Sequence, residues 1–450
     1  MFAAAIARAL AGCGGFSLVA ANGAVPVPRR AFAAGRRGLV LWPLANTAQA
    51  LWQLLHAVDA GIVPVLLPGD TPAGRLELLR QRYRGFGIWH DQTIDWPAAP
   101  APCPPGVALG LLTSGSTGEP KVIATAGDRL LAGIRAIHAA QDLDAAPSTA
   151  VVLPLAYSFA LVNQALWAVV MERELHFPGA LTDPAGVADR LQQRKTAMLC
   201  LVAHQARLFA RLGAAGEASL ADVSRVNFAG APFPVAELPA LRRCFPAARF
   251  FNNYGCAEAM PRLTCREVLP GDGDATRVGA PIGDIRLRLR DGNAGPAVEF
   301  NGSSTALGTL ADDGRLVPFA EWIASGDLGQ LENGELRLLG RHDQVVKIGG
   351  ERYSLVPVET ACTAWGASNA LAWIETSGPR EAVALLVNCP EPPPLKTLIP
   401  WLRSRLPRPL LPHAIYWTPE WRHSANGKSD RAALKTAAQS GALPRLWPPG

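Results

Sequence analysis

The residues best suited to chemistry stand in LLTSGSTGEPKV, residues 111–122. Gly115 and Gly118 let backbone N–H groups come close to an anion, and Thr113, Ser114, Ser116 and Thr117 add hydroxyl donors. Lys121 adds a compact ammonium. Together they make a cradle for phosphate oxygens. The run follows the apolar stretch VALGLL, and α/β folds place phosphate loops directly after strands. It is not a Walker A loop, because no Gly-Lys-Ser/Thr is present. Lysine is informative in this chain, which has six lysines against 37 arginines. Where Arg is the usual cation, a Lys marks a place that wants a point charge. Lys121, Lys347 and Lys428 all fall in motif-like segments.

The elements that must position such a loop can be read from hydrophobic periodicity. GLVLWPL (38–44) predicts a buried strand, 47–61 a helix ending at Gly61, IVPVLLPG a second strand and TPAGRLELLRQRY a helix. This alternation argues for a parallel sheet covered by helices. The opening residues MFAAAIARALAGCGG predict a helix rather than a signal peptide, since Arg8 interrupts the apolar run. Residues 97–106 are a Pro-rich connector. Further strands are expected at 150–157, 197–203 and 225–230, with a helix at 184–195 between them. Residues 265–340 hold short runs broken by Gly and Asp, the pattern of antiparallel hairpins in a smaller β unit. From about 344 a new βαβ-like pattern begins and suggests a second domain, and 442–450 reads as a loose tail.

With 450 residues, 49% of them hydrophobic, the chain can bury large cores and has length for at least two domains. Its net charge of +6 comes from scattered arginines with no basic run, which argues against a nucleic-acid partner and suits a small anionic ligand. The eight cysteines form no Cys-x-x-Cys pair, which excludes the usual zinc and redox patterns and fits reduced thiols in a cytoplasmic protein. No 18-residue apolar stretch is present, so no membrane span is expected.

Further motifs follow the first in a familiar order. They are FAGAPFP (228–234), NNYGCAE (252–258), SGDLG (325–329), GRHDQVVKIGGERYSLVPVE (340–359) and SANGKSDR (424–431). With LLTSGSTGEPKV they resemble the signatures of the adenylate-forming enzymes: acyl- and aryl-CoA synthetases, freestanding acid:carrier-protein ligases, luciferase and peptide-synthetase adenylation domains. The resemblance spans 111–431. It implies an α/β fold with a large N-terminal domain of helix-covered β-sheets plus a small β unit, residues 1–342. A small mobile α+β domain, 343–450, would follow. It also implies ATP and Mg²⁺ as cofactors, and coenzyme A or the phosphopantetheine of an acyl carrier protein as acceptor.

Under that resemblance each motif gains a role. Thr113 to Gly118 and Lys121 would bind phosphates. Tyr254 would stack on adenine, with Gly230 and Ala231 approaching its other face and Asn253 and Gly255 flanking it. Glu258 would hold Mg²⁺, since a hard cation wants carboxylate oxygen. Asp327 would accept hydrogen bonds from the ribose hydroxyls, and Arg341 would add a ribose contact. Lys428 would reach the substrate carboxylate and the α-phosphate during adenylation. Asp343 would be the hinge between two orientations of the smaller domain. Gly349 and Gly350 would leave room for a pantetheine arm. Alone, a Tyr-Gly turn or an Asp-Leu-Gly is more often structural; order and spacing argue for function.

Two positions bear on efficiency and substrate. Ala257 stands where the family carries a Thr that touches the AMP phosphate. Tyr157 stands at the family's acyl-gating aromatic, and Ser158 replaces the Asp that amino-acid-activating members use to hold an ammonium. A buried ammonium without a carboxylate is costly, so an α-amino acid is disfavoured. The acyl pocket is expected from Tyr157, Ser158, Phe159, Val202 to His204, Gly230 to Pro232, and Cys256 to Met260. His204 is either a packing residue or a substrate contact. The resulting expectation is an ATP-dependent ligase of a small aryl or fatty acid. The alternatives are an enzyme with another acceptor, a luciferase-like oxidase, or a nucleotide-binding module without activity.

Overall fold

Near-continuous apolar runs become strands with both faces covered, the pattern parallel sheets require. Gly38–Leu44 and Ile62–Pro68 are buried along almost their whole length, as are Met198–Leu201 and Arg225–Phe228. The computed structural model describes residues 1–450 except 22, 28–36, 91, 115–119, 293–294, 343–344, 349–350, 378–379, 424–428 and 449–450. Gly115, Ser116, Thr117, Gly118, Asp343, Gly349, Gly350 and Lys428 therefore lie outside the described residues.

The chain forms two compact units. The first comprises Met1–Arg288, Glu299–Ser325 and Leu331–Arg337, and the second Leu289–Val298, Gly326–Gln330 and Leu338–Gly450. The division falls within the strands Arg286–Arg290, Ala297–Asn301, Ile323–Glu332 and Glu335–Arg341 rather than in a linker.

In the first unit, one sheet places Ile62–Pro68 between Gly38–Leu44 and Val107–Ser114, all parallel, as the βαβ pattern requires. Thr47 caps the intervening helix Ala48–Asp59 by accepting from the Ala50 N–H at 3.2 Å. Gly61 follows that helix with φ +84°, a left-handed turn open to glycine. Another sheet runs from Arg277–Pro281 through Thr264–Val268, Arg249–Tyr254, Arg225–Phe228, Met198–Leu201 and Ser148–Ala150 to Glu174–Phe177, Ser17–Ala20 and Gly23–Val25. Its middle strands are parallel, while Arg249–Tyr254, Thr264–Val268 and Arg277–Pro281 pair antiparallel with one another in turn. The main core gathers Trp42, Trp52, Trp167, Leu130 and Ile134, all nearly fully buried. A separate core of Phe209, Phe228, Phe245 and Phe250 lies under Pro184–Gln193 and Ala203–Ala215. Truncating one such aromatic to Ala removes about 3–5 kcal/mol.

The second unit has its own core of Val358, Leu385, Leu398, Leu402 and Ile415. Asn369–Ser377 pairs antiparallel with Arg380–Asn388, which runs parallel to Ala414–Thr418.

Two sequence expectations need correction. The apolar run 150–157 is not one strand. Only Ser148–Ala150 pairs, and the chain then turns to start a helix at Ser158. Apolarity there reflects burial of an irregular segment, since Val151, Leu153 and Leu155 are all in the core. The C-terminal stretch is not a loose tail: Arg445–Trp447 pairs with Ala414–Thr418 as an edge strand. All eight cysteines are free thiols. Among the described residues no helix is long and apolar enough to cross a membrane.

Candidate active site

Met198–Leu201, Arg225–Phe228 and Arg249–Tyr254 are adjacent and parallel, with Leu201 opposite Phe228 and Phe228 opposite Asn252. Past that register the chain leaves the sheet as Val202 to His204, Gly230 to Pro232 and Gly255 to Met260. These segments, far apart in sequence, thus emerge from one carboxyl edge, where open α/β sheets bind ligands.

At this edge Tyr254 ends its strand and is 9% exposed. Gly230 has φ +83°, a conformation that its missing Cβ permits. Ala257–Ala259 forms a single helical turn, pinned where the Ala306 N–H donates to the Glu258 carbonyl at 2.7 Å. The Glu258 side chain is half-buried and takes no hydrogen bond or ion pair among the described residues. An uncommitted carboxylate at such an edge suits a magnesium ion, which takes one or two protein carboxylates and completes its shell with phosphates and water. Met260 is fully buried, Ala257 and Cys256 are half-buried, and His204 is exposed. Partial desolvation of its ring, then Arg207 and Arg211, push the His204 imidazole below its usual range.

Gly255 is held for a different reason from Gly230. A Cβ there would run into the Pro261 carbonyl oxygen and come within 2.9 Å of the Arg262 Cα. The chain doubles back so closely after Tyr254 that only glycine fits. Gly255→Ala is therefore expected to lower stability by about 1–3 kcal/mol, the usual cost of forcing atoms into packed space. Calorimetric unfolding checks this; an unchanged Tm would show that the 255–262 turn is soft.

The residues expected at the acyl side lie on another segment. Tyr157 precedes the helix Ser158–Ala160, which continues through a π-helical turn, Leu161–Leu166, into Trp167–Met171. Tyr157, Ser158 and Phe159 are all half-buried. Burial, with help from Asp70 and against Arg75, pushes the Tyr157 phenol up to about 12. It is a neutral hydroxyl across the working pH range. Phe159 and Val202 pack together against Leu153, Ala160 and Cys200, which joins two of the expected pocket segments.

Beneath this edge lies a buried polar network that the sequence reading missed. Asn253, expected at the nucleotide, turns its amide inward. It donates to Asn227 Oδ1 at 3.0 Å and accepts from Gln141 at 3.2 Å and from Arg262. Arg262 also donates to Asn163 Oδ1, on the π-helical turn, and its guanidinium lies 5.9 Å from the Phe159 ring centre. Arg262 is 3% exposed. The one signal available beforehand was a charge inside the apolar run AMPRLT.

The phosphate-loop motif joins antiparallel strands, Val107–Ser114 and Pro120–Ala126, with Thr113 opposite Lys121. It returns into a strand, not into a helix. Thr113 Oγ1 donates to the Lys121 carbonyl at 3.3 Å, and the Lys121 residue is exposed. In the second unit Asp327 and Arg341 face each other as an ion pair at 3.3 Å. The described residues that flank 424–428 bond to one another. Trp421 Nε1 donates to Ser429 Oγ at 2.9 Å, and the Asp430 N–H donates to the Arg422 carbonyl at 3.0 Å. Asp430 caps the helix Arg431–Gln439, and Arg431 makes a two-pronged pair with Glu359 at 2.7 and 3.2 Å.

A cleft of about 500 Å³ lined by Phe2, Val58, Cys103 and Leu131 contains none of the motif residues.

Comparison with known proteins bears on the family and the fold. The family model described as AMP-binding enzyme matches residues 39–308, more than half of the chain. A probable 2-succinylbenzoate–CoA ligase of Mycobacterium tuberculosis is 27% identical over 73% of this chain and 84% of that protein. An L-proline–[L-prolyl-carrier protein] ligase of Streptomyces coelicolor is 27% identical over 96% and 84%. The non-ribosomal peptide synthetase CmlP of Streptomyces venezuelae is 26% identical over 89% of this chain, but the chain spans only 44% of its length. Among solved structures, an anthranilate CoA ligase in complex with anthranoyl-AMP superposes with TM-score 0.78 at 18% identity over 98% of both chains. The O-succinylbenzoate coenzyme A synthetase of Bacillus subtilis, in complex with ATP and magnesium ion, superposes with TM-score 0.77 at 16% identity, covering 96% of this chain and 99% of that one. With over half its length matched by that one family model, the chain belongs to the AMP-binding enzyme family.

Proposed function

We propose that the chain is an ATP-dependent carboxylic acid ligase that makes acyl-AMP and then passes the acyl group to a pantetheine thiol. The observation that carries this reading is the shared carboxyl edge, where Gly230, Tyr254 and a Glu258 carboxylate with no partner among the described residues stand at or just past the ends of adjacent strands. In the first step a carboxylate oxygen attacks the α-phosphorus of ATP, the bond to the bridging oxygen breaks and pyrophosphate leaves. Tyr254 gives the adenine area without base-edge contacts. Asp327 and Arg341 serve the ribose. Lys121 and the hydroxyls of the loop bind the departing phosphates. Glu258 is the residue that would hold Mg²⁺, which when bound neutralises phosphate charge. Lys428 places positive charge on the transferring phosphoryl group.

In the second step the thiol sulfur attacks the acyl carbonyl, the bond to AMP breaks and the thiol proton passes to solvent. The working domains are 1–342 and 343–450, with Asp343 as hinge and Gly350 beside the pantetheine arm. Both acceptor types occur among the named relatives, a CoA ligase and a carrier-protein ligase. Ser158 offers no charge for an ammonium, so the acid is aryl or fatty rather than an α-amino acid. The test is pyrophosphate release over a panel of aryl, fatty and amino acids. The reading expects release with a non-amino acid and would fail if only amino acids, or none, supported it.

Ala257→Thr is expected to leave release equal or to raise it by up to about fivefold. The added hydroxyl restores one donor to the phosphate, worth ~1 kcal/mol. A collapse in the same steady-state assay would show that this half-buried position must stay small.

A further inference from the structure

Arg262 is an unbalanced charge. It is 3% exposed, yet no carboxylate pairs with it among the described residues. Its partners are the amide oxygens of Asn253 and Asn163 and the Cys265 thiol. These groups are all neutral, and a guanidinium stays protonated in proteins, so its charge is solvated by dipoles alone. Burying a charge without a counter-charge is among the costliest arrangements a core can hold. The site of this cost is specific. Arg262 ties the strand ending at Tyr254 to the π-helical turn beginning three residues after Ser158, and π-turns are frequent at functional sites. Its guanidinium lies by the ring of Phe159, which packs with Val202 and remains half-buried. Tyr157 to Phe159 and Val202 are the expected walls of the acyl pocket.

We infer that Arg262 charges the floor of the acyl pocket and selects an acid that carries a second anionic group, such as a second carboxylate, remote from the one being activated. This rests on the adenylating reading above. Attraction between buried charges is weakly screened, so it works through the Phe159 wall as well as by contact. The activated carboxylate loses its charge on forming acyl-AMP; the second keeps it, so the floor charge stays balanced through both steps. The same cation repels an ammonium, which agrees with Ser158 in place of an acidic residue.

The experiment measures ATP–pyrophosphate exchange with matched acids: benzoate against phthalate, isophthalate and terephthalate, and hexanoate against adipate. Wild type should favour at least one diacid over its monoacid by about tenfold or more in kcat/KM. Arg262→Met should erase that ratio, raise KM for the diacid by about tenfold and leave KM for ATP within about twofold. Arg262→Lys should retain part of the preference, and if the Met variant does not fold, Arg262→Lys and Arg262→Gln carry the comparison. Thermal shift with each acid and no ATP reads binding alone, and the diacid should raise Tm in wild type but not in the variant. Exchange with monoacids only, or a ratio that survives Arg262→Met, overturns the role of Arg262 while the ligase reading stands. Diacid stabilisation that depends on Arg262 without any exchange would uphold Arg262 and sink the ligase reading.

Discussion

Lys428→Ala is expected to lower acid-dependent ATP–pyrophosphate exchange by about 10²-fold while the protein stays folded. Removing one cation aimed at the transferring phosphoryl group costs roughly 3 kcal/mol of transition-state stabilisation. The fold should survive because the residues on either side of the segment have holding contacts of their own. Trp421 holds Ser429, Asp430 bonds back to Arg422 and caps the last helix, and Arg431 grips Glu359. Circular dichroism and Tm should match wild type. Normal exchange by a folded variant would remove Lys428 from the mechanism.

Asp343→Pro should separate the two half-reactions. Proline fixes φ near −65° and removes the backbone N–H, so a residue that must change φ/ψ between two states is held in one. If the held state is the adenylating one, exchange continues and transfer from preformed acyl-AMP to coenzyme A or a carrier protein falls about tenfold or more. Lys428→Ala should show the reverse pattern, weak exchange with transfer retained. Normal transfer by Asp343→Pro would mean that the hinge lies elsewhere. Running the transfer assay with both thiols identifies the acceptor.

Much of this fold could be read from the residues because its signals are local. Strand Gly38–Leu44 and helix Ala48–Asp59 follow from unbroken apolarity, helical spacing and the Thr47 cap. The motif segments around Tyr254 and Gly230 were legible because glycines and polar residues interrupt apolar strands at their ends. What failed was non-local. The run 150–157 is as apolar as a strand because it is buried, not because it pairs. The edge strand Arg445–Trp447 is too short and too rich in proline around it to announce itself. The inward bonding of Asn253 was not legible either, since alternation along a strand sends the side chains of Asn253 and Tyr254 to opposite faces. The Asn253 amide meets Arg262, a partner nine residues away, and only the fold brings Asn163 to the same guanidinium.

The central claim is that the acid is activated as an adenylate. The direct measurement incubates the protein with ATP labelled at the α-phosphate, Mg²⁺ and an acid found active by pyrophosphate release, then resolves the labelled products. The account predicts a labelled acyl-adenylate that forms only with acid and turns into AMP when a pantetheine thiol is added. Label recovered as ADP, or an adenylate that forms regardless of the acid, would contradict it.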